Sequence, residues 1–117
     1  MAARRQVAAQ RQTRVRPVDA ALQRLLALVA KGVQPTRMAR EVEVIVAEWR
    51  GAPGADPAET RQRLDELHEQ VVAGVADAEE QVSDADSSEP AAVKRAGMTL
   101  AALVATRDAT LRALAAR

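Results

Sequence analysis

The chain of 117 residues holds 27 Ala, 15 Arg, 14 Val and 10 Leu, one Trp, and no Cys, Phe or Tyr. That length suits one domain, or one domain with a small appendage. Beyond Ala and the initiator Met only 28 large apolar side chains remain, which fits a small helical bundle or an oligomer better than a thick-cored enzyme. The absence of Cys excludes disulfides and thiolate metal sites and favours a reducing, cytoplasmic setting. No apolar run approaches the ~18 to 20 residues of a membrane span, and nothing apolar follows Arg4 and Arg5 as a secretory signal requires.

The net charge of +1 conceals two opposed halves. Residues 1–40 carry nine bases against Asp19 alone, giving +8, and residues 41–117 carry eight bases against fifteen acids, giving −7. A basic head on an acidic body is the pattern of a chain whose one end meets a polyanion.

Residues 1–16 contain five Arg and no acid. This arm reads as disordered, as a frayed helix or as one short strand, because Gln12-Thr13-Arg14-Val15-Arg16 partly alternates. Pro17 then pushes Arg16 towards extended geometry. A first helix is predicted over about 19–31, capped by Asp19, with Val18, Leu22, Leu25, Leu26 and Val29 on one face. Gly32 supplies its left-handed exit, and Lys31 suits the negative end of the helix.

Thr36 is the next predicted cap, and Met38, Val42, Ile45, Val46 and Trp49 predict a helix over about 37–50. A strand over 41–46 competes there, but the stripe keeps helical spacing for its whole length. Residues 51–55 form a linker. Asp56-Pro57-Ala58-Glu59 is the strongest local signal: a capping carboxylate, a proline where no N–H is needed, and a Glu placed to close a capping box. The helix it opens should reach about Val82, with Leu64, Leu67, Val71, Val75, Ala78 and Val82 inward. A polar turn at 83–88 ends at Ser88, predicted to cap a last helix over about 89–116 with Val93, Gly97, Leu100, Val104, Leu111 and Leu114 inward.

The predicted fold is therefore mainly α: four helices with a long C-terminal antiparallel helical hairpin, and room for one short N-terminal strand. Residues 1–50 form a basic arm plus a two-helix unit, and residues 56–117 form the hairpin. So few large side chains predict that the hairpin packs on the first two helices or on a second copy, and a homodimer is expected.

Catalytic chemistry finds little support. His68 is the lone histidine, with Asp65 one turn before it. A metal site in a bundle wants more carboxylates and a second His, so His68 reads as an exposed structural residue. Glu79, Glu80, Asp84 and Asp86 read as a solvated face. The five Gly are scattered rather than gathered in a phosphate loop, and no nucleophile has a base beside it in any motif. No catalytic residue, metal or cofactor is expected, and the chain reads as a non-enzyme.

The basic half is more informative, because neutralising phosphates takes Arg or Lys, and Arg adds bidentate recognition of guanine edges. Arg14-Val15-Arg16-Pro17, then a helix, then Gly32-Val33-Gln34-Pro35-Thr36-Arg37-Met38-Ala39-Arg40-Glu41, resembles the ribbon-helix-helix family of DNA-binding proteins over roughly residues 10–50. The resemblance implies that two chains pair short strands into a ribbon that enters the major groove. Gln12, Arg14 and Arg16 would then face bases. Thr36 and its neighbouring N–H groups would hold a phosphate at the helix start, with Arg37 and Arg40 supporting it. Ala20 and Ala21 stand where that family places large apolar residues. A helix-turn-helix reading of the same stretch lacks the interruption needed for a third helix. The arm has no aromatic for stacking single-stranded RNA and few bulky apolar groups for a membrane anchor.

The expected function is a small dimeric DNA-binding protein, either a repressor or a plasmid partition or conjugation accessory factor, with double-stranded DNA as partner. The competing expectation is a helical adaptor or assembly protein, of a phage or secretion system, that binds a protein through its hairpin. Residues 56–89 carry eleven acids and two bases, a charge of −9. The sequence leaves open whether this acidic helix folds back on the basic arm as a brake.

Overall fold

The computed structural model describes residues 16–116. Four helices make up this region: α1 (Pro17–Ala30), α2 (Pro35–Gly51), α3 (Pro57–Asp84) and α4 (Pro90–Ala115). The strand considered for residues 12–16 lies outside the described residues except for Arg16, which precedes α1. The stretch 41–46 is helical, so the alternative strand there is overturned.

Each helix opens on a proline at its first position, where the missing N–H costs nothing and the fixed φ suits the helix. This shifts three predicted caps. Arg16, Gln34 and Glu89 occupy the N-cap positions of α1, α2 and α4, none with a side-chain cap bond. Asp19 falls instead in the first turn of α1, where its charge complements the dipole. Thr36 lies one residue inside α2. Ser88 precedes the cap of α4 and donates its N–H to Asp86 Oδ1 at 2.9 Å. Asp56 caps α3 as expected, accepting from the Ala58 N–H at 3.1 Å. Glu59 turns to Arg63 instead of closing the box, at 2.9 Å across one turn.

The connections follow local chemistry. After α1, Gly32 adopts φ 76°, its N–H donates to Val29 O at 3.0 Å and the Val33 N–H donates to Leu28 O at 3.2 Å. That pair of bonds is a Schellman close, with Leu28 and Val33 both packed against the core. Between α2 and α3, Ala55 N–H donates to Ala52 O at 3.0 Å. Pro53 and Gly54 (φ 74°) are the central residues of that turn, the pair a type II turn favours.

One apolar cluster draws on all four helices. Val18, Ala21, Leu25 and Val29 of α1, Met38, Val42, Ile45 and Val46 of α2, and Leu64, Leu67, Val71, Val75 and Ala78 of α3 are buried. Trp49 and Leu22 pack at its edge, while Leu26 is exposed. Helices α3 and α4 run antiparallel: Arg61 near the start of α3 donates to Leu114 O at 3.3 Å near the end of α4, and a Cβ on Gly74 would touch Leu103. The last buried residue of α3 is Ala78 and the first of α4 is Ala102, so the turn end of the hairpin extends past the core.

The buried face of α4 differs from the predicted one. It consists of Ala102, Leu103, Thr106, Ala109 and Thr110. Val93, Gly97 and Leu111 are exposed, and Leu100, Val104 and Leu114 are half-buried. Small residues let α4 sit close against both α2 and α3. The two threonines can be buried because their hydroxyls bond within their own helix: Thr106 Oγ1 donates to Ala102 O at 2.8 Å and Thr110 Oγ1 to Arg107 O at 2.7 Å.

Candidate nucleic-acid interface

The bases of the N-terminal half separate into paired and unpaired groups. Arg16 forms an ion pair with Glu66 of α3. Hydrogen bonding to Glu66, then the charges of Glu66 and Asp19, raise its pKa. Arg24 sits between two carboxylates of α2: it pairs with Glu41, and its Nη1 lies 3.2 Å from Glu48 Oε2. Burial works against its charge, but Glu41 and then Glu48 outweigh this and raise its pKa. The acidic half thus supplies three carboxylates that quench two of the bases of the basic half. These pairs are at least partly exposed and structurally weak.

Thr36, Arg37 and Arg40 occupy one face of the first turns of α2, since residues three and four apart are neighbours on a helix. All three are exposed, as is Lys31 at the end of α1. Among the described residues no carboxylate lies within 4.0 Å of Lys31, Arg37 or Arg40. Here α2 begins with no side-chain cap; the Arg37 and Met38 N–H groups already donate to Gln34 O at 3.0 and 3.1 Å, so what this end offers an anion is its positive dipole end beside exposed cations. Of the predicted site residues, the structure therefore groups Thr36, Arg37 and Arg40. Arg16 lies at the opposite end of α1, about 20 Å away at ~1.5 Å per residue. Gln12 and Arg14 lie outside the described residues. Lys31, also exposed, caps the end of α1 four residues before Pro35 starts α2. Its one sequence signal, a base beside the glycine that ends α1, had suggested only a dipole contact.

A second basic feature has no linear signature. Where α2 ends, α3 begins and α4 ends, an open cleft of about 850 Å³ is lined by Arg50, Arg61, Thr60, Leu64 and Leu114 among others. A shallower one of about 480 Å³ beside it adds Arg112 and Glu43. Arg50 and Arg112 also lie in the last turns of their helices, where a base complements the dipole. His68 is half-buried rather than exposed. The Thr110 hydroxyl, 2.7 Å from Arg107 O, also lies 2.8 Å from His68 Nδ1 and ties the imidazole to α4. Among the described residues no three His, Asp or Glu side chains gather as metal ligands, and no helix is long and apolar enough to cross a membrane.

Comparison with protein-family models, with curated proteins and with solved structures gave no match.

Proposed function

We propose that this chain is a small non-enzymatic DNA-binding protein, acting as a dimer, in which the basic arm and the α1–α2 corner contact the phosphates of a duplex. The observation that carries the reading is the corner itself: among the described residues, Lys31, Arg37 and Arg40 have no acid partner where α1 ends and the uncapped α2 starts, on a protein whose other half is acidic. Phosphate contacts need cations free to release counterions, and this corner has them. The ribbon-helix-helix resemblance places the same helix start on the DNA backbone and assigns Gln12, Arg14 and Arg16 to base edges. A role as repressor or plasmid accessory factor belongs to this reading.

Fluorescence anisotropy with duplex DNA at two salt concentrations tests it. The full chain should bind more tightly at low salt, and Arg37→Ala with Arg40→Ala should flatten the log–log salt slope by about two units. No binding at low salt, or a slope unmoved by the double variant, would defeat the proposal for this corner.

The second reading, a helical adaptor, is favoured by the turn end of the hairpin, which extends past the core and exposes Val93 and Met98. It expects a protein partner to be held by a chain lacking residues 1–15 as well as by the full chain, with DNA binding absent.

A further inference from the structure

Helix α4 has two apolar faces: the bundle buries one of them and covers only the middle of the other. At about 100° per residue, the buried residues Ala102, Leu103, Thr106, Ala109 and Thr110 fill one sector. Val93, Leu100, Val104 and Leu111 line up roughly 140° away from its centre. Val93 and Leu111 are 39% and 47% exposed, and Leu100 and Val104 lie half-buried at the rim of the core. Beside them the surface is open: a Cβ added to Gly97 would meet nothing within 4 Å.

The stripe is symmetric along the chain. Val93 and Leu111 stand nine residues either side of Ala102, Leu100 and Val104 two either side, and Gly97 and Arg107 five either side. The charges follow it to within two residues. Lys94 and Asp108 lie on the same flank of the stripe, eight residues before Ala102 and six after it. Lys94 is exposed with no carboxylate within 4.0 Å among the described residues. Among the described residues Asp108 pairs only with its chain neighbour Arg107, at 3.3 Å, and its side chain is 47% exposed.

We propose that α4 is a self-association surface: a second copy of this chain lays its α4 antiparallel on this one, about a two-fold axis level with Ala102. An isologous contact requires a surface complementary to itself, and antiparallel pairing brings like flank against like flank. Val93 then meets the partner's Leu111, and Leu100 the partner's Val104. Gly97 leaves room for the partner's Arg107, and Lys94 reaches the partner's Asp108 at both ends of the seam. The ion pairs select the antiparallel register, and the apolar stripe supplies the attraction. The surface does not rest on the DNA reading and lies on a different helix from the α1–α2 corner.

Sedimentation velocity of the full chain across micromolar concentrations tests it, with helical content followed by circular dichroism. The expected result is a concentration-dependent dimer of twice 12.5 kDa. Leu111→Arg should weaken it by at least about tenfold, the equivalent of ~1.4 kcal/mol, without loss of helix. Lys94→Glu and Asp108→Lys should each weaken it severalfold, and the two together should restore it. A chain monomeric at every concentration overturns the proposal. So does a dimer indifferent to Leu111→Arg, including one lost only when residues 1–15 are removed, or a charge-swapped pair weaker than either single variant. Duplex binding measured on the same samples reads the DNA proposal separately.

Discussion

The guanidinium of Arg16, where the basic arm joins α1, is ion-paired with Glu66, ten residues into the acidic helix α3. This is a direct contact between the oppositely charged halves. It links the root of the arm to the body, and Arg24 with Glu41 and Glu48 makes a second link. The opposite signs of the two halves therefore serve internal pairing as well as any external partner.

If Arg16 contacts DNA as proposed, Glu66 competes for it. Glu66→Gln should then raise duplex affinity and steepen the log–log salt slope by up to about 0.9, the share of one added phosphate contact. Anisotropy titrations at several salt concentrations read both quantities. An unchanged slope would place Arg16 outside the interface.

The buried threonines of α4 should respond differently to loss of the hydroxyl. Thr110 joins α4 to His68 of α3, so Thr110→Val leaves a half-buried imidazole nitrogen without its hydrogen-bond partner and should cost about 1–3 kcal/mol. Thr106 bonds only to a carbonyl of its own helix, and Thr106→Val should change stability by less than about 1 kcal/mol. Urea unfolding followed by circular dichroism checks the order of the two.

Two glycines should give effects of opposite sign. Gly32 has φ 76° in the close of α1, and Gly32→Ala should destabilise by about 1 kcal/mol because a Cβ resists that conformation. Gly97 lies inside α4 with open space where a Cβ would stand, and Gly97→Ala should stabilise the monomer by roughly 0.5–1 kcal/mol through backbone entropy. Thermal unfolding at low protein concentration separates them.

In the α3–α4 turn, Asp86 accepts hydrogen bonds from the backbone and then the side chain of Ser88, which hold its pKa below the ordinary aspartate value. A depressed folded pKa means the carboxylate favours the folded turn at neutral pH. That contribution is complete above the unfolded pKa and is lost as pH falls through the lower, folded one. Carboxyl NMR titration should place the Asp86 midpoint below that of an unstructured aspartate, and Ser88→Ala should move it back up in part.

Helix existence, order and approximate length were legible in the sequence, because each property is local. Apolar spacing marked α1, α2 and α3, and Asp56-Pro57 and Gly32 marked their ends. The buried stripe of α3 from Leu64 to Ala78 matched its pattern because that helix lies against the rest of the bundle along one line. The caps were less legible, since Pro17 and Pro35 start their helices two and one residues before Asp19 and Thr36, while Pro90 starts α4 two residues after Ser88.

Tertiary structure alone decided which side of α4 faces inward. The sequence offers that helix a line of large residues and a line of small ones, and hydrophobicity favours the large. Close approach to two neighbouring helices favours Ala102, Thr106 and Ala109, and packing prevails over size. It likewise decided which charges are free. Nothing in the linear order distinguishes Arg24, fixed between Glu41 and Glu48, from Arg37 and Arg40, which face solvent. That difference depends on where each side chain points once α1 and α2 lie side by side.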